Sequence, residues 1–186
     1  TTTVINLAAG LSLNGKKVLV IDLDPQGNAT TGLGLSNVAD TSKSIYGVLN
    51  GKEEIESSIQ KTNFQNLDIV TSNVDLSGLE VETADDENRA YLLKVKLTAY
   101  LNNSSHSYDY VLIDCPPSLS LLTIMALVSS DSLIVPLQTE FFALEGITQL
   151  IKTIDRIKVG LNPSLNVRGI LLTCLLYTSP SPRDGD

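Results

Sequence analysis

Four unbroken apolar runs punctuate the chain: Val18 to Ile21, Val111 to Ile113, Leu133 to Val135 and Ile170 to Leu172. Runs this continuous suit strands covered on both faces, as in a parallel sheet, where neither side alternates with solvent. Leu67 to Val70 is a fifth, weaker strand. Between the runs, apolar residues recur at steps of three and four. Leu144, Ile147, Leu150, Ile151, Ile154 and Ile157 share one helical stripe that stops near Gly160 and Pro163. Val4, Leu7, Ala8 and Leu11 predict a helix that begins almost at residue 1, and short helices are expected near Ser44 to Leu49 and Glu53 to Gln60. Strands alternating with helices predict an α/β fold, a mostly parallel sheet with helices on both faces. The acidic stretch Glu80 to Arg89 reads as a solvated helix face.

Composition narrows this picture only a little. A length of 186 residues fits one domain with an ordinary core, and 42% hydrophobic with 18% charged residues argues against extended disorder. No apolar run approaches the roughly 18 to 20 residues that span a bilayer, and no basic-then-apolar leader opens the chain, so a cytoplasmic location is expected. A net charge of -8 disfavours a wholly basic nucleic-acid surface. Cys115 and Cys174 lack neighbours at metal-ligand spacing and read as small buried side chains, and His106 reads as a solvated loop residue. After Thr173 the strand and helix rhythm breaks. Residues 174–186 resemble translated sequencing-adapter read-through and are expected to be a non-native tail behind a partial domain at 1–173.

In open α/β sheets ligands lie at the carboxyl ends of the strands, so the residues closing each run carry most of the information. Val18 to Ile21 runs into Asp22-Leu23-Asp24-Pro25-Gln26-Gly27-Asn28, and Val111 to Ile113 runs into Asp114-Cys115-Pro116-Pro117-Ser118. An acid at a strand end can orient a magnesium-bound water beside nucleotide phosphates, the Walker B arrangement, and Asp114 fits it. A turn-forming Asp-x-Pro-Pro would read the same way. Thr1, Thr2 and Thr3 open a helix, where hydroxyls serve either as N-caps or, in a phosphate loop, as ligands of magnesium and phosphate. Asp22 and Asp24, two apart, would leave one face of a strand and need a cation or water between them; a plain surface turn is the other reading.

Taken together these blocks resemble the ParA/MinD family of deviant Walker A P-loop ATPases. Thr1-Thr2-Thr3-Val4-Ile5-Asn6-Leu7-Ala8 resembles the continuation of the K-G-G-V-G-K-T-T-T motif. Asp22 to Thr30 resembles the Walker A′ segment and Asp114 to Ser118 the Walker B and switch II segment; Pro136 to Gly146 resembles a further block near the nucleotide. Asp-Pro-Gln-Gly-Asn and Ile69 to Leu76 are closest to the ParA/Soj partition branch. Met125 stands where the family usually carries Asn, and the signature lysine, the glycines and the phosphate-binding lysine of the loop would precede residue 1.

The resemblance implies a P-loop NTPase fold incomplete at both ends, with ATP and Mg2+ as ligands. Thr1 would ligate Mg2+ and Thr2 contact phosphate. Asp24 would position or activate the attacking water, Asp114 would hold Mg2+ through water, and Asp22 would support the Mg2+ network. It further implies an ATPase that dimerises on ATP, binds DNA non-specifically and is released by a ParB-like partner, cytoplasmic and nucleoid-associated, with no membrane partner; this fragment by itself is expected to be inactive. A MinD-like membrane-cycling ATPase would end in an amphipathic basic helix, and a nucleotide-responsive scaffold would lack turnover. An iron–sulfur relative would need a cysteine pattern that Cys115 and Cys174 do not supply.

Overall fold

The computed structural model describes residues 1–35, 42–103, 108–138 and 143–173, with side chains from 148 onward in the last span. Two compact units result, Thr1–Ser129 and Ser130–Asp186. His106, Cys174, the 174–186 tail and the centre of the Pro136 to Gly146 block lie outside the described residues.

In the first unit, α1 (Thr2–Leu13) leads into β1 (Val18–Asp22), followed by α2 (Asn28–Gly32), α3 (Ile45–Leu49) and α4 (Ile55–Ser58). Then come β2 (Ile59–Lys61), β3 (Leu67–Val70), α5 (Leu79–Glu82), α6 (Leu92–Asn103), β4 (Tyr110–Asp114) and α7 (Leu121–Ser129). The sheet order is β2-β3-β1-β4. β1 lies parallel to both β3 and β4, and β2 is antiparallel to β3. The expected mostly parallel α/β architecture is therefore present.

Alternation along β1 divides its side chains between two cores. Leu19 and Ile21 join Ile45, Val48, Leu93, Leu97, Leu121 and Met125 on one face. Val18 and Val20 join Ala8, Ala29, Leu33, Leu67 and Ile69 on the other. Helices thus cover both faces, and that is why the run needs no polar position. Each such Leu or Ile contributes roughly 1.5–3 kcal/mol by burial. Met125 is fully buried, filling core volume on α7.

Not every predicted element appears as expected. β1 and β3 are buried throughout, whereas β4 is half-buried up to Asp114. The helix expected over Glu53 to Gln60 is only four residues long, and its end becomes β2. Ile59 there pairs with Val70, and Lys61 lies opposite Asp68 with its Nζ 2.7 Å from Oδ2. Hydrogen bonding to the open edge of β3 outweighs local helical preference, a tertiary effect. The acidic stretch is helical only to Glu82; turns follow, and its charges are mostly exposed.

The second unit is a βαβ element. β5 (Ser132–Gln138) and β6 (Asn166–Thr173) run parallel and are joined by α8 (Ala143–Gly160). Ile154 and Ile157 of the predicted stripe are buried, and Ile151 is half exposed. Beyond Gly160, the N–H groups of Leu161 and Asn162 both donate to the Ile157 carbonyl, and Asn162 Nδ2 donates to Ser130 O at 2.8 Å. β5 alternates in exposure and β6 is largely exposed, so of the four runs expected to be covered on both faces only that of β1 is buried throughout. Among the described residues no helix is long and apolar enough to cross a membrane.

Candidate functional site

The carboxyl ends of β1 and β4 carry the acids. Asp22 and Asp114 are register partners across the parallel pair, and the ladder runs one step further through Leu23 N–H to Asp114 O at 2.8 Å. Both carboxylates are buried. The amino group of Thr1 stands 3.1 Å from Asp114 Oδ1, so the start of α1 meets the end of β4. Asp114 Oδ2 is buried with no hydrogen-bond partner among the described residues. Thr2 follows, exposed in the first turn of α1, its carbonyl accepting Asn6 Nδ2. The structure therefore brings Thr1, Asp22 and Asp114 to one sheet edge.

Asp24 reaches that edge differently from the sequence expectation. β1 ends at Asp22, so Asp24 lies beyond the strand rather than on its face. Its Oδ1 accepts the Gln26 N–H at 3.0 Å, and its carbonyl accepts the Gly27 N–H at 2.9 Å, forming a tight turn. Gly27 holds φ 62, a left-handed conformation that glycine adopts without a Cβ penalty. Among the described residues no hydrogen bond ends on Asp24 Oδ2.

Asp22 is fully engaged. Its Oδ2 accepts both the Thr30 N–H and the Thr30 hydroxyl at 2.7 Å, and its Oδ1 accepts the Asp24 N–H at 3.2 Å. Burial pushes the Asp22 carboxyl above its ordinary value; the Thr30 and Asp24 hydrogen bonds act against this, and the Asp114 charge adds to it. Thr30 and its neighbour across the edge, Ser72, had no role in the sequence reading. The only available hint was that Thr30 closes the Walker A′ block. Burial pushes the Cys115 thiol up to about 11, the neighbouring Asp114 and Asp24 carboxylates adding to the effect.

The donor set suits a hard cation. Asp114 offers an unsatisfied buried oxygen, and a hydroxyl-bearing helix start adjoins it. Among the described residues no three His, Cys, Asp or Glu side chains close on one point. Mg2+ matches that sparse set, because it takes one or two carboxylates and keeps several waters.

An AAA domain family model matches residues 1–167. The chromosome partitioning protein ParA of Caulobacter vibrioides (strain NA1000 / CB15N) is 46% identical over 173 residues, 93% of this chain and 64% of that protein. The chain belongs to the ParA/MinD-type P-loop ATPases. A second member of this ParA/MinD type, the sporulation initiation inhibitor protein Soj of Bacillus subtilis (strain 168), is 45% identical across 94% of this chain and 67% of its own length. Among solved structures, cobyrinic acid a,c-diamide synthase from Mycobacterium smegmatis, with bound ATP analogue and magnesium, superposes with a TM-score of 0.84. It is 36% identical, over 92% of this chain and 66% of that one. The chain thus spans about two thirds of the length of these ParA/MinD-type relatives.

Proposed function

We propose that this chain is the catalytic part of a DNA-partitioning ATPase that binds ATP with Mg2+, dimerises around it, and couples hydrolysis to release from DNA by a ParB-like partner. The observation that carries this reading is the meeting of Asp22, Asp24, Asp114 and the Thr1 end of α1 at one sheet edge, in a chain 46% identical to a chromosome partitioning protein. Mg2+ when bound would neutralise charge on the phosphates, as phosphoryl transfer generally requires.

The chain's own residues divide the remaining work. Asp114, through its unpartnered Oδ2, and Thr1, through its hydroxyl, would hold the cation. Thr2 lies one residue further along the first turn of α1, where exposed N–H groups and the helix dipole favour phosphate. Asp24, its backbone pinned by Asp22 and its Oδ1 held by Gln26, turns the other oxygen toward the attacking water. Asp22 supports this arrangement from beneath as an acceptor.

The test is ATP turnover by a full-length protein carrying this chain, compared with its Asp24→Ala variant. A fall of at least 100-fold with retained ATP binding is expected; equal rates would remove Asp24 from catalysis. ATP-dependent DNA retention that weakens as salt rises is expected of the same protein, and no retention with ATP at low salt would end the partition reading.

A further inference from the structure

We propose that Thr30 is a positioning residue for hydrolysis, a latch that ties the Asp24 turn to the end of β3 through one hydroxyl. The inference deepens the ATPase reading and rests on it. The Thr30 hydroxyl donates to Asp22 Oδ2 at 2.7 Å and accepts the Ser72 N–H at 3.0 Å. Thr30 and Asp22 are both buried, so neither bond competes with water. Asp22 in turn takes the Asp24 N–H on its other oxygen. A continuous chain of donors and acceptors therefore runs from Ser72 through Thr30 and Asp22 to the backbone of Asp24.

The Thr30 N–H also binds Asp22, so loss of the hydroxyl alone leaves Asp22 held but cuts the tie to Ser72. The Asp24 turn then loses its hydrogen-bonded link to the Ser72 backbone. Thr30 reaches the reaction through Asp22 and Asp24, which makes it a positioning group and predicts an effect on turnover with little effect on ATP affinity. Misplacement of a catalytic group by about 1 Å is enough to slow a reaction roughly 100-fold.

In a full-length protein carrying this chain, Thr30→Val should lower kcat for ATP by roughly 10- to 100-fold with KM changed less than about threefold. Thr30→Ser, which restores the hydroxyl, should return kcat to within about threefold of wild type. Amide hydrogen exchange supplies the second readout: the Ser72 N–H should exchange faster in Thr30→Val and stay protected in Thr30→Ser. Should Thr30→Val unfold at the assay temperature, Thr30→Ala is measured where circular dichroism shows it folded, with the same outcome expected. Wild-type kcat in the valine or alanine variant, equal impairment of the serine variant, or unchanged Ser72 protection would overturn the latch. A wild-type protein that turns over no ATP would instead sink the ATPase reading, and Ser72 exchange would still judge the latch.

Discussion

Asp22 can be a structural acceptor or chiefly a metal ligand, and the two roles predict opposite signs for Asp22→Ala in metal-free buffer. As an acceptor it satisfies the Thr30 and Asp24 backbone N–H groups and the Thr30 hydroxyl with its own carboxylate fully buried. The hydroxyl can rotate, but the two amides cannot, and each buried unsatisfied donor costs about 1–3 kcal/mol. Relief of a buried charge beside Asp114 offsets part of that loss, so a net destabilisation of about 2–4 kcal/mol is expected. Asn offers one acceptor oxygen and turns an NH2 toward the remaining amide, so Asp22→Asn should show roughly half the deficit. The assay is urea unfolding of the full-length protein in EDTA, read as a midpoint shift at constant slope.

The pH dependence has a definite sign. Because the folded carboxyl is raised, the native state binds the proton more readily than the unfolded chain. Its stabilising contribution is complete below the ordinary carboxylate value and is lost as pH rises through the raised one. The deficit of Asp22→Ala should therefore be largest in acid and narrow across that window. A variant as stable as wild type, or more stable, in metal-free buffer would refute the acceptor role.

Two further outcomes follow from local geometry. With its thiol moved from 9.0 to about 11 by burial, Cys115 in a Cys174→Ser background should be alkylated by iodoacetamide at pH 8 roughly 100-fold more slowly than a free thiol, since only the thiolate reacts; a rate within threefold of glutathione would contradict that burial. Gly47 lies in α3 where an added Cβ would overlap the backbone oxygen of Ser42. Gly47→Ala should therefore cost about 1–3 kcal/mol in thermal unfolding, although helix propensity alone favours Ala by roughly 1 kcal/mol; a stabilised variant would refute the close contact.

The local sequence carried a large share of this protein. The continuous apolar run at Val18 to Ile21 specified a strand buried on both sides, because no polar side chain there has to face water; Leu67 to Val70 is buried as well although it carries Asp68, whose carboxylate accepts from Lys61 Nζ and the Tyr108 hydroxyl. The three-and-four spacing over Leu144 to Ile157 specified α8, and Gly160 marked its end. Acids at the strand ends, Asp22 and Asp114, were legible for the same reason: a charge directly after a buried run must sit where the sheet opens.

Other features arose only from contacts between distant segments. Nothing local distinguishes Ile59 to Lys61 from a continued helix; its strand form exists because β3 offers an unpaired edge 7 to 11 residues away in sequence. Asp24 reads as a strand residue until the Gln26 and Gly27 amides fold it into a turn. Thr30 is an ordinary helix threonine until Asp22, eight residues before it, and Ser72, 42 residues after it, are brought to its hydroxyl. Hydrophobic period is written residue by residue and survives in the sequence. The partner of a buried hydrogen-bonding group is chosen by packing, and only the folded chain supplies it.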